Sequence, residues 1–135
     1  MKKRVFPILL AVLALAAAGL ACGAPAAPGV SNMYMASDQD GTVKTSTFSP
    51  GQDFFVFFDA SNVATGTAFQ SQWFALNVEG EDPNTAFHTI DYALEEGVTT
   101  VYFQLTNPDP WPAGNYRVDI YMNGSKVGEQ SFSVQ

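Results

Sequence analysis

The 135-residue chain has a single cysteine, Cys22, so no disulfide can form within it and a packed core must hold the fold. It has a single histidine, His88. Zinc and copper sites need several nitrogen or sulfur ligands, which this sequence does not supply. A Ser-His-Asp or Cys-His arrangement would have to rest on His88 alone, and there is no Gly-x-Ser-x-Gly elbow to carry a nucleophile. Positive charge is scarce. Lys and Arg number 6 against 13 Asp and Glu, for a net charge of −7. Lys2, Lys3 and Arg4 lie at the extreme N-terminus; without them the remaining cations are Lys44, Arg117 and Lys126. A domain this acidic repels phosphate backbones and anionic headgroups, so no nucleic-acid partner is expected. Beyond the first apolar run no segment carries a helical period, and no internal repeat is visible.

What the sequence does have, past its N-terminal apolar run, is strand-forming residues: there Phe, Tyr, Val and Thr are plentiful, while Leu, Lys and Arg are few. The clearest stretch is Trp111-Pro112-Ala113-Gly114-Asn115-Tyr116, a turn fixed at proline and freed at glycine, running into 116–122. There Tyr116, Val118, Ile120 and Met122 alternate with Arg117, Asp119 and Tyr121, the period of a half-buried strand. Asn123-Gly124 then predicts a tight hairpin, with 126–134 returning antiparallel; the hairpin accounts for Asn123-Gly124-Ser125 better than a glycosylation sequon does. Similar alternation predicts strands at 30–37, 67–78 and 98–106, a shorter one within 43–48, and an edge strand or irregular segment at 86–94. Residues 53–60 hold Phe54, Phe55, Val56, Phe57 and Phe58. A run apolar on both faces implies a central strand or one with a covered outer face.

The N-terminus reads as an export signal: basic residues 2–4, an apolar run over 5–18, then small residues up to Cys22. Gly19-Leu20-Ala21-Cys22 resembles the lipobox of bacterial lipoproteins, in which the cysteine becomes the first mature residue and carries lipid. The resemblance implies a helical signal peptide over 1–21 and lipidation of Cys22, hence a membrane anchor in the cell envelope. A soluble product cut near Ala18 or Ala24, or an uncleaved anchor, are the alternatives. Residues 22–29 read as a flexible Ala/Pro tether, leaving 30–135 as one domain.

About seven short strands with turn signals between them predict an all-β, antiparallel β-sandwich of the immunoglobulin or fibronectin kind, with a small barrel as the competing architecture. In such a sandwich Trp73 would lie in the core, and Tyr116 would form a tyrosine corner. Phe48-Ser49-Pro50-Gly51, Trp73 and the run from Trp111 to Gly124 resemble the Ig-like modules of bacterial cell-surface lipoproteins. The resemblance implies adhesion, spacing or interaction, and carries no catalytic residue or cofactor. The expected function is therefore a non-enzymatic envelope module that binds a protein or carbohydrate.

The candidate contact residues are aromatic: Trp111, Tyr121, Tyr102 and Tyr92, of which Tyr102 and Tyr121 fall opposite the apolar rows of their strands. A calcium-dependent module is an alternative. It would draw on Asp38 and Asp40 in one loop and Glu79, Glu81 and Asp82 in another, provided the loops meet. Use of the end loops as an enzyme or protease inhibitor is the other. A cleft pairing His88 with a carboxylate would favour the enzyme.

Overall fold

The computed structural model describes residues 29–135, so the leader, Cys22 and all of the tether but Gly29 lie outside the described residues. Eight strands and no helix make up the described chain: β1 (Gly29–Ala36), β2 (Thr47–Phe48), β3 (Phe54–Ser61), β4 (Ala68–Ala75), β5 (His88–Ala93), β6 (Thr100–Leu105), β7 (Gly114–Met122) and β8 (Ser125–Val134). They form two sheets, one ordered β1-β3-β6 and the other β2-β8-β7-β4-β5. This is the expected Ig-like sandwich, with eight strands rather than about seven. The eighth is the two-residue β2, all that regular pairing keeps of 43–48, and it runs parallel to β8.

The core lies between the sheets. Phe54, Val56 and Phe58 point into it from β3, facing Phe69 and Trp73 from β4, Val118 and Ile120 from β7, and Phe132 and Val134 from β8. Phe54 stacks on Trp73 and on Trp111, and meets Phe48 and Phe132 edge-on. Such ring pairs add about 0.5–1.5 kcal/mol each beyond the area they bury, which helps a chain without disulfides stay folded. The buried Trp73 indole donates to Ser71 Oγ (2.9 Å), and Tyr116 Oη donates to the Pro112 carbonyl four residues upstream, the predicted tyrosine corner.

The hairpin forms as read. Asn123 and Gly124 both have positive φ (50° and 84°), as a two-residue turn of this hand requires. Asn123 also clamps the start of β4: its N–H donates to the Ala68 carbonyl, and its Oδ1 accepts from the Ala68 N–H.

The first strand departs from simple alternation. A bulge between Ser31 and Tyr34, with Asn32 at φ 53°, resets the phase of β1. Val30 and Met33 thus both pack against the main core, although the alternation placed them on opposite faces.

The two outer faces differ. On the three-stranded sheet, Phe55 and Phe57 form a second buried cluster with Ala36, walled by Tyr34. Tyr34 stacks on Phe57 (5.2 Å between centroids), and so does Tyr102 (5.3 Å). The 38–45 loop roofs this cluster. Asp38 shapes the loop, its Oδ2 accepting from Thr42 N–H and Oγ1 and its Oδ1 from Val43 N–H. On the five-stranded sheet, Asp119 is 3% exposed instead of facing solvent with Arg117 and Tyr121. Arg117 Nε lies 2.8 Å from its carboxylate and Lys126 Nζ 3.5 Å, while Arg117 also covers the Phe74 ring.

Candidate functional site

At one end of the sandwich, where β4 and β6 finish and β5 and β7 begin, the sheets part around a cleft of about 310 Å³. That is near the lower limit for small-ligand sites and suits one side chain or one small ring. Its walls are held by short-range bonding. The Asn77 side chain accepts from Asn115 N–H, tying the end of β4 to the start of β7. Asp82 accepts from Asn84 N–H and Thr85 Oγ1, which closes the 79–85 loop. Phe87 N–H donates to the Trp73 carbonyl (2.8 Å) and so starts β5, and Trp111 N–H donates to the Pro50 carbonyl (2.8 Å).

Phe87, Trp111 and Tyr116 supply the aromatic walls, while Glu81, His88 and Asn107 supply polar groups. Trp111 packs its face on Phe54 and meets Tyr116 edge-on. Among the described residues every fully buried side-chain nitrogen or oxygen has a partner. The Trp111 indole N–H has no such partner, so it reaches solvent, and the cleft is the opening that Trp111 lines. The side chains of Glu81, His88 and Asn107 make no hydrogen bond or ion pair with the described residues either. The cleft therefore presents exposed donors and acceptors that no described residue engages. Burial, and the Glu81 carboxylate beside it, push the Tyr116 hydroxyl above the usual tyrosine range.

His88 and Glu81 share this cleft without a hydrogen bond or ion pair between them, and the Tyr116 hydroxyl is spent on Pro112. The four aromatics singled out from the sequence do not form one patch. Trp111 is 8% exposed, a core ring with one polar edge outward rather than a surface platform. Tyr92 is half-buried and packs on the main core, since it pairs with inward-facing Phe69. Tyr121 is half-buried opposite Gln70 on the outer face of the five-stranded sheet. Tyr102 is 40% exposed on the other outer face, its Oη accepting from Gln39 Nε2.

The acidic loops do not meet. The 38–41 turn packs on Tyr34 and Phe57, and the 79–85 loop borders the cleft. Hydrogen bonds from Thr42 and Val43 hold the Asp38 carboxyl below the usual range; Asn84 and Thr85 do the same for Asp82. Asp40 and Glu79 are exposed. Among the described residues no three His, Cys, Asp or Glu side chains are grouped to hold a metal ion. The sequence reading missed the cleft because its lining is drawn from residues between 75 and 116, which no local pattern connects.

An immunoglobulin-like protein from Pseudomonas aeruginosa has a similar structure, with a TM-score of 0.57 at 17% identity over 84% of this chain and 100% of that one. The alkylpurine DNA glycosylase AlkC of Pseudomonas fluorescens, solved bound to DNA containing an abasic site analog, matches with a TM-score of 0.51 at 12% identity. That match covers 84% of this chain and 32% of AlkC. Likeness at these identities shows the Ig-like fold alone. No curated protein matches the sequence. The family model for a domain of unknown function, DUF8428, matches residues 44–135, from just before β2 to the C-terminus, and the chain belongs to that family.

Proposed function

We propose that the protein is a non-enzymatic binding module of the bacterial cell envelope. Lipid on Cys22 anchors it, the Ala/Pro tether holds it off the membrane, and the end cleft receives part of a protein or carbohydrate partner. The observation that carries this reading is the cleft itself: aromatic walls beside an indole N–H, an exposed carboxylate and an exposed amide, none of them engaged by the described residues. Recognition sites combine apolar walls with a few placed polar groups in this way.

The purified protein is applied to glycan and peptide arrays, and hits are measured again with Trp111→Phe and Glu81→Gln. Trp111→Phe keeps an aromatic ring and removes the donor; Glu81→Gln removes the charge. Ligands of the cleft lose affinity in both variants while thermal melting shows the fold retained. Ligands indifferent to both substitutions would place binding elsewhere. Anchoring is tested separately, by incorporation of labelled palmitate in cells, which Cys22→Ala abolishes if the cysteine is lipidated.

A further inference from the structure

The four outer edges of the two sheets are not alike. The free side of β1 is covered: Ser37 N–H donates to Val43, Thr45 N–H donates to Met35, and Gln130 Nε2 donates to the Met33 carbonyl. β2 is two residues long. β5 carries Asp91 in mid-strand. β6 pairs with β3 over its whole length without a bulge, and among the described residues no strand pairs with its other side. Its sequence, Thr100-Val101-Tyr102-Phe103-Gln104-Leu105, contains no charge, proline or glycine. Those are the devices that normally protect an open edge from a further strand. β1, β2 and β4 are uncharged too, but β1 is covered, β2 is only two residues long and β4 is internal to its sheet. Among the described residues β6 is therefore the uncharged strand of useful length with an unpaired side that offers main-chain donors and acceptors in register.

This edge leads into the cleft. Leu105, the last residue of β6, lines it together with Thr106 and Asn107, and across the gap stand Glu81 and His88. A strand added to β6 would deliver its end to the unused polar groups. Antiparallel pairing is the more stable kind, and it brings the N-terminal end of the added strand to the cleft.

We infer that β6 receives an extended, uncharged segment of a partner protein as an antiparallel fourth strand of the three-stranded sheet, with a lysine or arginine at its N-terminal end entering the cleft beside Glu81. Charge selects the basic residue. Glu81 is the cleft's carboxylate, and the domain around it is strongly negative. The main chain supplies affinity and the cleft supplies specificity, the division of labour seen in strand addition generally. The inference rests on the cleft being a binding site and adds the edge, the direction and the charge of its occupant.

The test uses the purified protein with acetyl-Lys-Thr-Val-Thr-Val-Thr-amide and its glutamate-headed counterpart, followed by amide hydrogen exchange and titration. The lysine peptide should protect alternate amides within 100–105. It should bind about tenfold more tightly than the glutamate peptide, the worth of one charged hydrogen bond, and Glu81→Gln should remove that preference. Lysine-dependent shifts confined to cleft residues would overturn strand addition and leave the proposed function standing. Protection of β6 without peptide, rising with protein concentration, would make a second copy the occupant and overturn the inference. No protection and no shift would sink the inference, and glycan and peptide arrays without a cleft-dependent hit would sink the broader reading as well.

Discussion

The outer faces of the two sheets are built from opposite materials. The three-stranded sheet turns Phe55 and Phe57 outward and buries them under Tyr34, Tyr102 and a loop that Asp38 holds in shape. The five-stranded sheet turns Gln70, Gln72, Arg117, Asp119 and Tyr121 outward, and pairs its polar groups: Gln72 donates to Gln70, Gln70 to Asp91, and Arg117 to Asp119. Both are ways to finish a sheet face that the core does not cover. The narrower sheet uses apolar burial, which is strong but needs a roof. The broader one uses a charged and amide lattice, with Arg117 laid over Phe74, which needs no covering loop but contributes less per contact.

The sharpest way to break this contrast is Phe57→Ala. Removing a ring 5% exposed beneath the roof should cost about 3 kcal/mol, read by denaturant unfolding. A loss near zero would mean the outer cluster is ornament. Gly41→Ala comes next, at about 2 kcal/mol. Gly41 has φ +71°, and an added Cβ would fall 2.6 Å from Tyr34 Oη and 3.2 Å from the Phe57 ring, so the roof must lift. Increased exchange of the 38–45 amides would accompany the loss. On the other face Asp119→Asn should cost about 1 kcal/mol. It removes the charge shared by Arg117 and Lys126, both of which retain solvent access, and added salt should narrow the difference from wild type.

The smallest effect is expected from Asp38→Asn, and it depends on pH. The folded-state pKa of Asp38 is depressed by its Thr42 and Val43 hydrogen bonds. Its contribution is therefore complete above the ordinary value of 3.8 and is lost as pH falls through the lower folded-state value. Melting curves of wild type and variant should separate at neutral pH and converge in acid. A gap that widened in acid would refute the role given to this carboxylate.

The same contrast shows what could be read in advance. The double-sided apolar run of β3 implied a covered outer face, and β3 is both central in its sheet and roofed. The Pro/Gly turn, Tyr116 and Asn123-Gly124 encode their own geometry and formed as read, because turn chemistry and strand alternation act over a few residues. Arg117 and Asp119, two apart on one strand, were legible as neighbours. The burial of Asp119 was not, because it needs Lys126 from across the hairpin. The bulge at Asn32 broke a good alternation, since one residue at positive φ shifts the phase of all that precede it.

Composition and local pattern thus determined, without coordinates, that this chain cannot rely on disulfides, that its strands pack through aromatic rows, and where its turns fall. Only the tertiary structure decided that Trp111 is a core ring with one polar edge outward, that Glu81, His88 and Asn107 line the same cleft, and that among the described residues β6 is the unpaired, uncharged edge leading there. Alternation and turns are interactions between near neighbours in sequence. A cleft and a free edge are properties of which distant segments end up side by side, and of which are left without a partner.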